Sequence, residues 1–194
     1  MRIIAGRLKG RKLLPVPDER VRSTADRVKE SLFNILVHDV PNAVVLDLFC
    51  GAGALGLEAL SRGAESAVFV DLSKRSLAKT LENVRALELD EQAETVYGDA
   101  LRVLHRMNAR GDKFSLVFAD PPYNMGMPAK TLKAIAAANC RTQTGVLVIE
   151  HHKKDEPGEA PPGFSLWTSR RFGDTVLTFW RWGEEASNNM KESS

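Results

Sequence analysis

The 194 residues are enough for one domain with a sizeable core, and a composition of 43% hydrophobic and 27% charged side chains is that of a folded globular protein. No apolar run approaches the ~20 residues of a membrane helix. The charged start Met1–Arg7 has no apolar core behind it, as a secretory signal would, and two cysteines, Cys50 and Cys140, are too few for a disulfide framework or a zinc site. A protein of the reducing cytoplasm, away from membranes, is expected. The net charge of +2 is unevenly spread: residues 1–29 hold nine Lys or Arg against three acids, and the rest holds eighteen against twenty-two. A basic segment on a mildly acidic body is the footprint of contact with a polyanion.

Short strands are predicted at 2–5 and 11–16, with Gly6 and Gly10 bracketing a basic hairpin tip, Arg7-Leu-Lys-Gly-Arg11. Pro15 and Pro17 end that hairpin. Ser23 or Thr24 caps a helix over about 24–38, in which Val28, Leu32, Ile35 and Leu36 recur at helical spacing. From there strands and helices alternate. Strands are predicted at 44–48, 67–70, 94–97, 115–119 and 145–149. Helices are predicted at 53–62, from Ser73 to about 87, at 100–109 and at 128–138. Two strands in succession, 164–170 and 175–182, turn at Gly173-Asp174. The polar tail from Glu184 is expected to be disordered.

Alternating strands and helices imply an α/β fold: a Rossmann-like, mostly parallel, seven-stranded sheet closed by an antiparallel edge pair. Ligands of such sheets sit outside the carboxyl ends of the strands. Asp47, Asp71, Asp99, Asp120 and Glu150 all fall at or near those ends.

The run Gly51-Ala-Gly-Ala-Leu-Gly56 matches the dinucleotide fingerprint, and Asp71 lies twenty residues beyond Gly51 as a ribose acceptor. The same loop serves S-adenosylmethionine, and two features favour that donor. Asp47 sits in the strand end just before the loop, where a carboxylate suits an ammonium and repels a pyrophosphate. Gly98-Asp99-Ala100 follows the third strand, where Asp99 can accept from an adenine amine. Cys50 packs under the loop as a small apolar residue rather than acting as a nucleophile. His38, His105, His151 and His152 lack metal-ligand spacing, and His151-His152 is expected to be a solvated loop pair. No metal site is predicted.

Asp120-Pro-Pro-Tyr123 follows the apolar run Phe114–Ala119. An aromatic exocyclic amine is a poor nucleophile because its lone pair delocalises into the ring. Asp120 and the Pro121 carbonyl can each accept one amine hydrogen and aim the lone pair at a methyl group. Pro fixes the backbone and projects its carbonyl rigidly. Tyr123 offers a stacking face, worth roughly 1–3 kcal/mol per base. The target base must be unpaired or flipped out. This points to methyl transfer onto a nucleobase nitrogen.

These residues resemble the class I S-adenosylmethionine-dependent amino-methyltransferases. The wider chain resembles the bacterial 16S ribosomal RNA (guanine-N2)-methyltransferase family, ribosomal small-subunit methyltransferase D. The resemblance is carried by Arg2–Gly6 with Gly10-Arg11, Arg22–Leu36, Leu46–Leu60, Ser61–Ala64, Asp120–Tyr123 and Phe172–Asp174. It implies methylation of a guanine amine in 16S rRNA or the small-subunit particle, with S-adenosylhomocysteine as product and no metal. It also implies that Asp47, Cys50, Gly51 and Gly53 meet the donor's amino-acid part, Asp71 and Leu72 its ribose, and Asp99 and Ala100 its adenine. Asp120, which would also border the donor, would address the base with Pro121 and Tyr123. Arg2, Arg7, Lys9, Arg11, Lys12, Arg22 and Arg27 would meet RNA. Residues 1–40 would then be the RNA-binding part, 41–183 the catalytic domain and 184–194 a tail, in a monomeric enzyme. Where the family usually has Ala, Ser, Pro and Glu, this chain has Cys50, Ala52, Ser23 and Asp71. Three alternatives stay open at this point: adenine-N6 methylation of RNA or DNA, a non-catalytic donor-binding assembly factor, and a nicotinamide-dependent reductase.

Overall fold

A computed structural model describes residues 1–16, 26–123 and 126–183. The expected caps Ser23 and Thr24, the RNA candidate Arg22 and the tail from Glu184 lie outside the described residues. The chain forms two compact units, the first Met1–Ala100 and the second starting at Leu101.

The first unit contains α1 (Asp26–Ile35), β1 (Val44–Leu48), α2 (Ala54–Ser61), β2 (Ser66–Asp71), α3 (Lys74–Ala86) and β3 (Ala93–Tyr97). β1 pairs in parallel with β2, and β2 with β3, in a register that sets Asp47 opposite Phe69 and Asp71 opposite Tyr97. β1 and β2 are Val-rich and largely buried, as parallel strands covered on both faces must be, whereas β3, at the sheet edge, has no buried residue. Ser73 caps α3 by accepting from the Ser76 N–H at 3.2 Å.

Where two N-terminal strands were expected, there is one antiparallel bridge, Arg2 to Lys12. The cause is competition for the backbone. The N–H groups of Ile4 and Ala5 donate to the Glu58 carboxylate at 2.8 and 3.0 Å. Arg7 N–H donates to the Ser61 carbonyl at 2.8 Å, and Leu8 N–H to the Ser61 hydroxyl at 3.0 Å. The segment is thus clamped onto α2. Glu58 and Lys29 are both fully buried, with Nζ 3.1 Å from Oε2, and Arg62 reaches the other Glu58 oxygen at 2.8 Å. Lys29 also donates to the Arg2 carbonyl. Burial lowers its pKa and Glu58 opposes that shift.

The second unit is built from α4 (Ala100–Arg110), β4 (Phe114–Ala119), α5 (Met127–Ala137), β5 (Arg141–His152), β6 (Phe164–Phe172) and β7 (Thr175–Trp182). β4 and β5 are parallel, whereas β7 runs antiparallel to both β5 and β6. The strand order is β3-β2-β1-β4-β5-β7-β6, the mixed, mostly parallel sheet expected. β5 begins at Arg141 rather than 145 because its first half is polar: Gln143 and Thr144 are exposed, so only the apolar half shows in the hydropathy. Gly145 is required there, since a Cβ would lie 2.3 Å from both the Ser115 carbonyl oxygen and the Trp182 ring. No described helix is long and apolar enough to cross a membrane.

Candidate active site

In the first unit the end of β1 runs straight into the glycine loop. Phe49 has φ of 60°, a left-handed conformation that is strained for a bulky residue, and Gly51 and Gly53 follow with φ of 57° and 80°. Several side chains hold this path. Asp47, 3% exposed, accepts from the Gly56 N–H at 2.9 Å and so caps the first turn of α2. A Cβ on Gly56 would come within 2.4 Å of the Phe69 ring, so only glycine lets α2 sit this low on the sheet. Burial, with Asp71 nearby, raises the Asp47 pKa to about 7, against the Gly56 hydrogen bond.

Asp71 ends β2. One of its oxygens accepts from the Gly51 N–H at 2.9 Å and the other from the Ser73 N–H at 2.7 Å. Each oxygen keeps a second lone-pair direction for a ligand hydroxyl. Leu72, beside it, is 64% exposed, an apolar surface open at the strand ends. Asp99 is half-buried just beyond β3, and Ala100 is buried at the start of α4.

Two residues that the sequence did not single out complete the loop. The Thr80 hydroxyl donates to the Gly51 carbonyl at 2.9 Å. The Asn83 amide donates to the Ala52 carbonyl at 3.0 Å and to the Leu14 carbonyl at 3.1 Å, and accepts from the Leu14 N–H at 2.7 Å. Both are buried on α3. Polar residues three apart on a helix look like a solvated face, and no local signal distinguishes these from one. Cys50 is buried 3.8 Å from the Thr80 hydroxyl, and desolvation pushes its thiol well above the usual range. A protonated thiol packed under the loop is no nucleophile.

The basic N-terminal side chains are exposed but engaged in part. Arg2 pairs with Asp26 at 3.0 Å, Arg7 donates to Gln92, and Arg11 donates to the Ala86 carbonyl. Lys9, Lys12 and Arg27 are exposed as well.

In the second unit the Asp-Pro-Pro-Tyr run leaves β4 directly. Asp120 and Tyr123 are half-buried, Pro121 is buried and Pro122 exposed. The Tyr123 hydroxyl donates to Glu150 Oε1 at 3.2 Å, and its ring centroid lies 6.0 Å from that of His152. Burial first, then the Glu150 and Asp120 carboxylates, push the phenol up to about 12, and the Thr175 hydroxyl opposes the shift. Tyr123 is thus a neutral hydrogen-bond donor at physiological pH. The solvated pair expected at 151–152 is not found. Both residues belong to β5, His151 is 2% exposed, and its ring lies 2.9 Å from the Thr178 hydroxyl. β5 outruns its apolar core, which is why hydropathy placed the histidines in a loop. Burial lowers the His151 pKa, so the ring is neutral and its contribution to stability is lost as pH falls below about 6.5. Among the described residues no three His, Cys, Asp or Glu side chains cluster as metal ligands would.

A mixed seven-stranded sheet with a glycine turn after its first strand and carboxylates at its strand ends is the fold of the class I methyltransferases. An Escherichia coli structure described as the putative methyltransferase YhhF matches it with a TM-score of 0.83 and 32% identity, over 94% of this chain and 98% of that one. A family model described as "Conserved hypothetical protein 95" matches residues 1–181. The putative rRNA methyltransferase YlbH of Bacillus subtilis is 35% identical over 93% of this chain and 98% of its own length. The ribosomal RNA small subunit methyltransferase D of Escherichia coli K12 is 32% identical over 93% of this chain and 89% of its own. The chain belongs to the ribosomal RNA small subunit methyltransferase D family.

Proposed function

We propose that this protein transfers a methyl group from S-adenosylmethionine to the exocyclic N2 amine of a guanine in 16S rRNA of the small ribosomal subunit. The observation that carries the reading is Asp120-Pro-Pro-Tyr123 standing at the end of β4 in a chain of this family. The glycine loop supports the methyl donor. Its buried carboxylate, Asp47, suits a cationic amino-acid tail, and its glycines let backbone approach a ligand closely.

In this reading Asp47, Cys50, Gly51 and Gly53 hold the donor's amino-acid end, Asp71 and Leu72 its ribose, and Asp99 and Ala100 its adenine. S-adenosylmethionine supplies a methyl carbon on a sulfonium. Asp120 and the Pro121 carbonyl accept the two amine hydrogens, and Tyr123 stacks on the base. The amine lone pair attacks the methyl carbon, and the carbon–sulfur bond electrons return to sulfur, giving S-adenosylhomocysteine. The alkylated nitrogen then releases a proton. In this reading Asp120 receives it; Tyr123, whose phenol stays protonated, does not. The step as written needs no metal. Residues 1–40, through Arg2, Arg7, Lys9, Arg11, Lys12, Arg22 and Arg27, contact the rRNA phosphates, and 41–183 do the chemistry. A monomer acting in the cytoplasm completes the proposal.

The experiment incubates the protein with tritiated S-adenosylmethionine and small subunits from a strain lacking this activity, then digests the RNA. Labelled N2-methylguanosine is the expected product. N6-methyladenosine would keep the amine chemistry and overturn the guanine assignment. No label, with S-adenosylhomocysteine still bound, would leave a non-catalytic assembly role.

A further inference from the structure

Glu150 has no part in the reaction as written, yet it is a carboxylate only 6% exposed near the end of β5. A buried carboxylate is costly unless something holds it. Here the Tyr123 hydroxyl donates to it at 3.2 Å, and the Thr175 hydroxyl meets the same phenol. The strand register sets Glu150 two residues before His152 on β5, in the same ladder. His152 pairs with Thr175, Glu150 pairs with Leu177, and Thr175 pairs in turn with Phe172 on the outer strand. The Tyr123 ring lies against His152 in that ladder. Tyr123 itself lies beyond the end of β4, outside any helix or strand, so no ladder of its own fixes the ring.

We propose that Glu150 is a positioning residue: by accepting the Tyr123 hydroxyl it fixes the ring on which the target base stacks. This rests on the reading that Tyr123 addresses the base. The logic is preorganisation. A ring that must be ordered each time a base arrives gives back part of its stacking energy, and a ring already tethered to a strand does not. A short shift of the stacked base away from the in-line approach costs up to ~100-fold in rate. The raised Tyr123 pKa fits this role, since a phenol protonated at all working pH values never releases its tether.

The test compares Tyr123→Ala, Tyr123→Phe, Glu150→Ala, Glu150→Gln and the Tyr123→Phe/Glu150→Ala double variant. Single-turnover methylation and S-adenosylhomocysteine affinity are measured for each. Tyr123→Phe and Glu150→Ala should each slow methylation ~10- to 100-fold at unchanged donor affinity. The double variant should be no slower than either single one. Glu150→Gln keeps an acceptor oxygen and should recover most of the rate. Additive losses, or Glu150→Gln as slow as Glu150→Ala, would mean that Glu150 acts elsewhere. If Tyr123→Ala is slow while Tyr123→Phe and Glu150→Ala are not, the tether is wrong and the stacking role stands. If Tyr123→Ala is as fast as the native enzyme, both fall. Tyr97 and Tyr123 are the two tyrosines, so an alkaline titration in a Tyr97→Phe background reads Tyr123 alone. Glu150→Gln should move that titration to lower pH, and an unmoved titration would overturn the contact.

Discussion

The glycine loop and the Asp-Pro-Pro-Tyr motif are held in contrasting ways. The loop is gripped from several sides by Asp47, Asp71, Thr80 and Asn83, each bonded to loop or cap backbone. The motif relies on two prolines and on the contacts of Tyr123, whose hydroxyl meets Glu150 and Thr175 and whose ring lies near His152. The first arrangement fixes a backbone, the second fixes one ring. Under the proposed function, a donor of constant shape meets a rigid cradle, and a base extracted from folded RNA meets a surface that is stiff at one point.

The largest effect expected in this comparison is on the support of the cradle. Glu58→Ala strands the buried Lys29 ammonium and two backbone N–H groups, so a loss of ~3–5 kcal/mol is expected. Calorimetry should show Tm falling by on the order of 10 °C; a drop within 2 °C or so would mean that α2 does not depend on the cluster. Next comes Asp120→Ala, expected to slow methylation ~10²–10³-fold with S-adenosylhomocysteine affinity intact. Full activity in that variant would remove the motif from the chemistry. Asn83→Ala deletes three hydrogen bonds, one of them to the glycine loop. A donor affinity lowered ~5- to 100-fold is expected by titration calorimetry, and an unchanged affinity would show that the loop holds without Asn83.

A smaller effect comes from Asp47. Its folded pKa, about 7, lies above the unfolded value, so its contribution to stability is full at low pH and lost as pH rises through about 7. An ammonium ligand favours the carboxylate. S-adenosylhomocysteine should therefore bind several-fold more tightly at pH 8 than at pH 6, releasing protons, and Asp47→Asn should flatten that dependence. A flat profile in the native protein would place the ammonium elsewhere. Smallest is Lys9→Gln with Lys12→Gln. It should reduce the salt slope of RNA binding by about two and leave Tm alone. An unaltered slope would free these lysines from any RNA role. Arg7 and Arg11 make poorer probes because each also bonds to the protein.

Much of this architecture is legible in the sequence because parallel strands are short apolar runs with acids at their ends. Asp47, Asp71 and Asp120 stand where those runs stop. What escaped is polar and buried. Lys29 and Glu58 occupy helical positions that charge patterning assigns to water, and only the fold brings them together. Thr80 and Asn83 have the same disguise. His151 was misplaced because β5 continues past its last aliphatic residue. The N-terminal hairpin looked self-sufficient because its main bonding partners, Glu58 and Ser61, lie more than fifty residues away.

The closeness of Gly6 to α2 bears on how this chain tolerates change. A Cβ at that position would stand 1.9 Å from the Ser61 carbonyl oxygen, in a backbone with φ of 81°. Residues 4–8 are therefore fitted against α2, with no room for a larger side chain at Gly6. Shortening the chain there would strip Glu58 of two donors and show itself as poor yield before any question of RNA affinity arose.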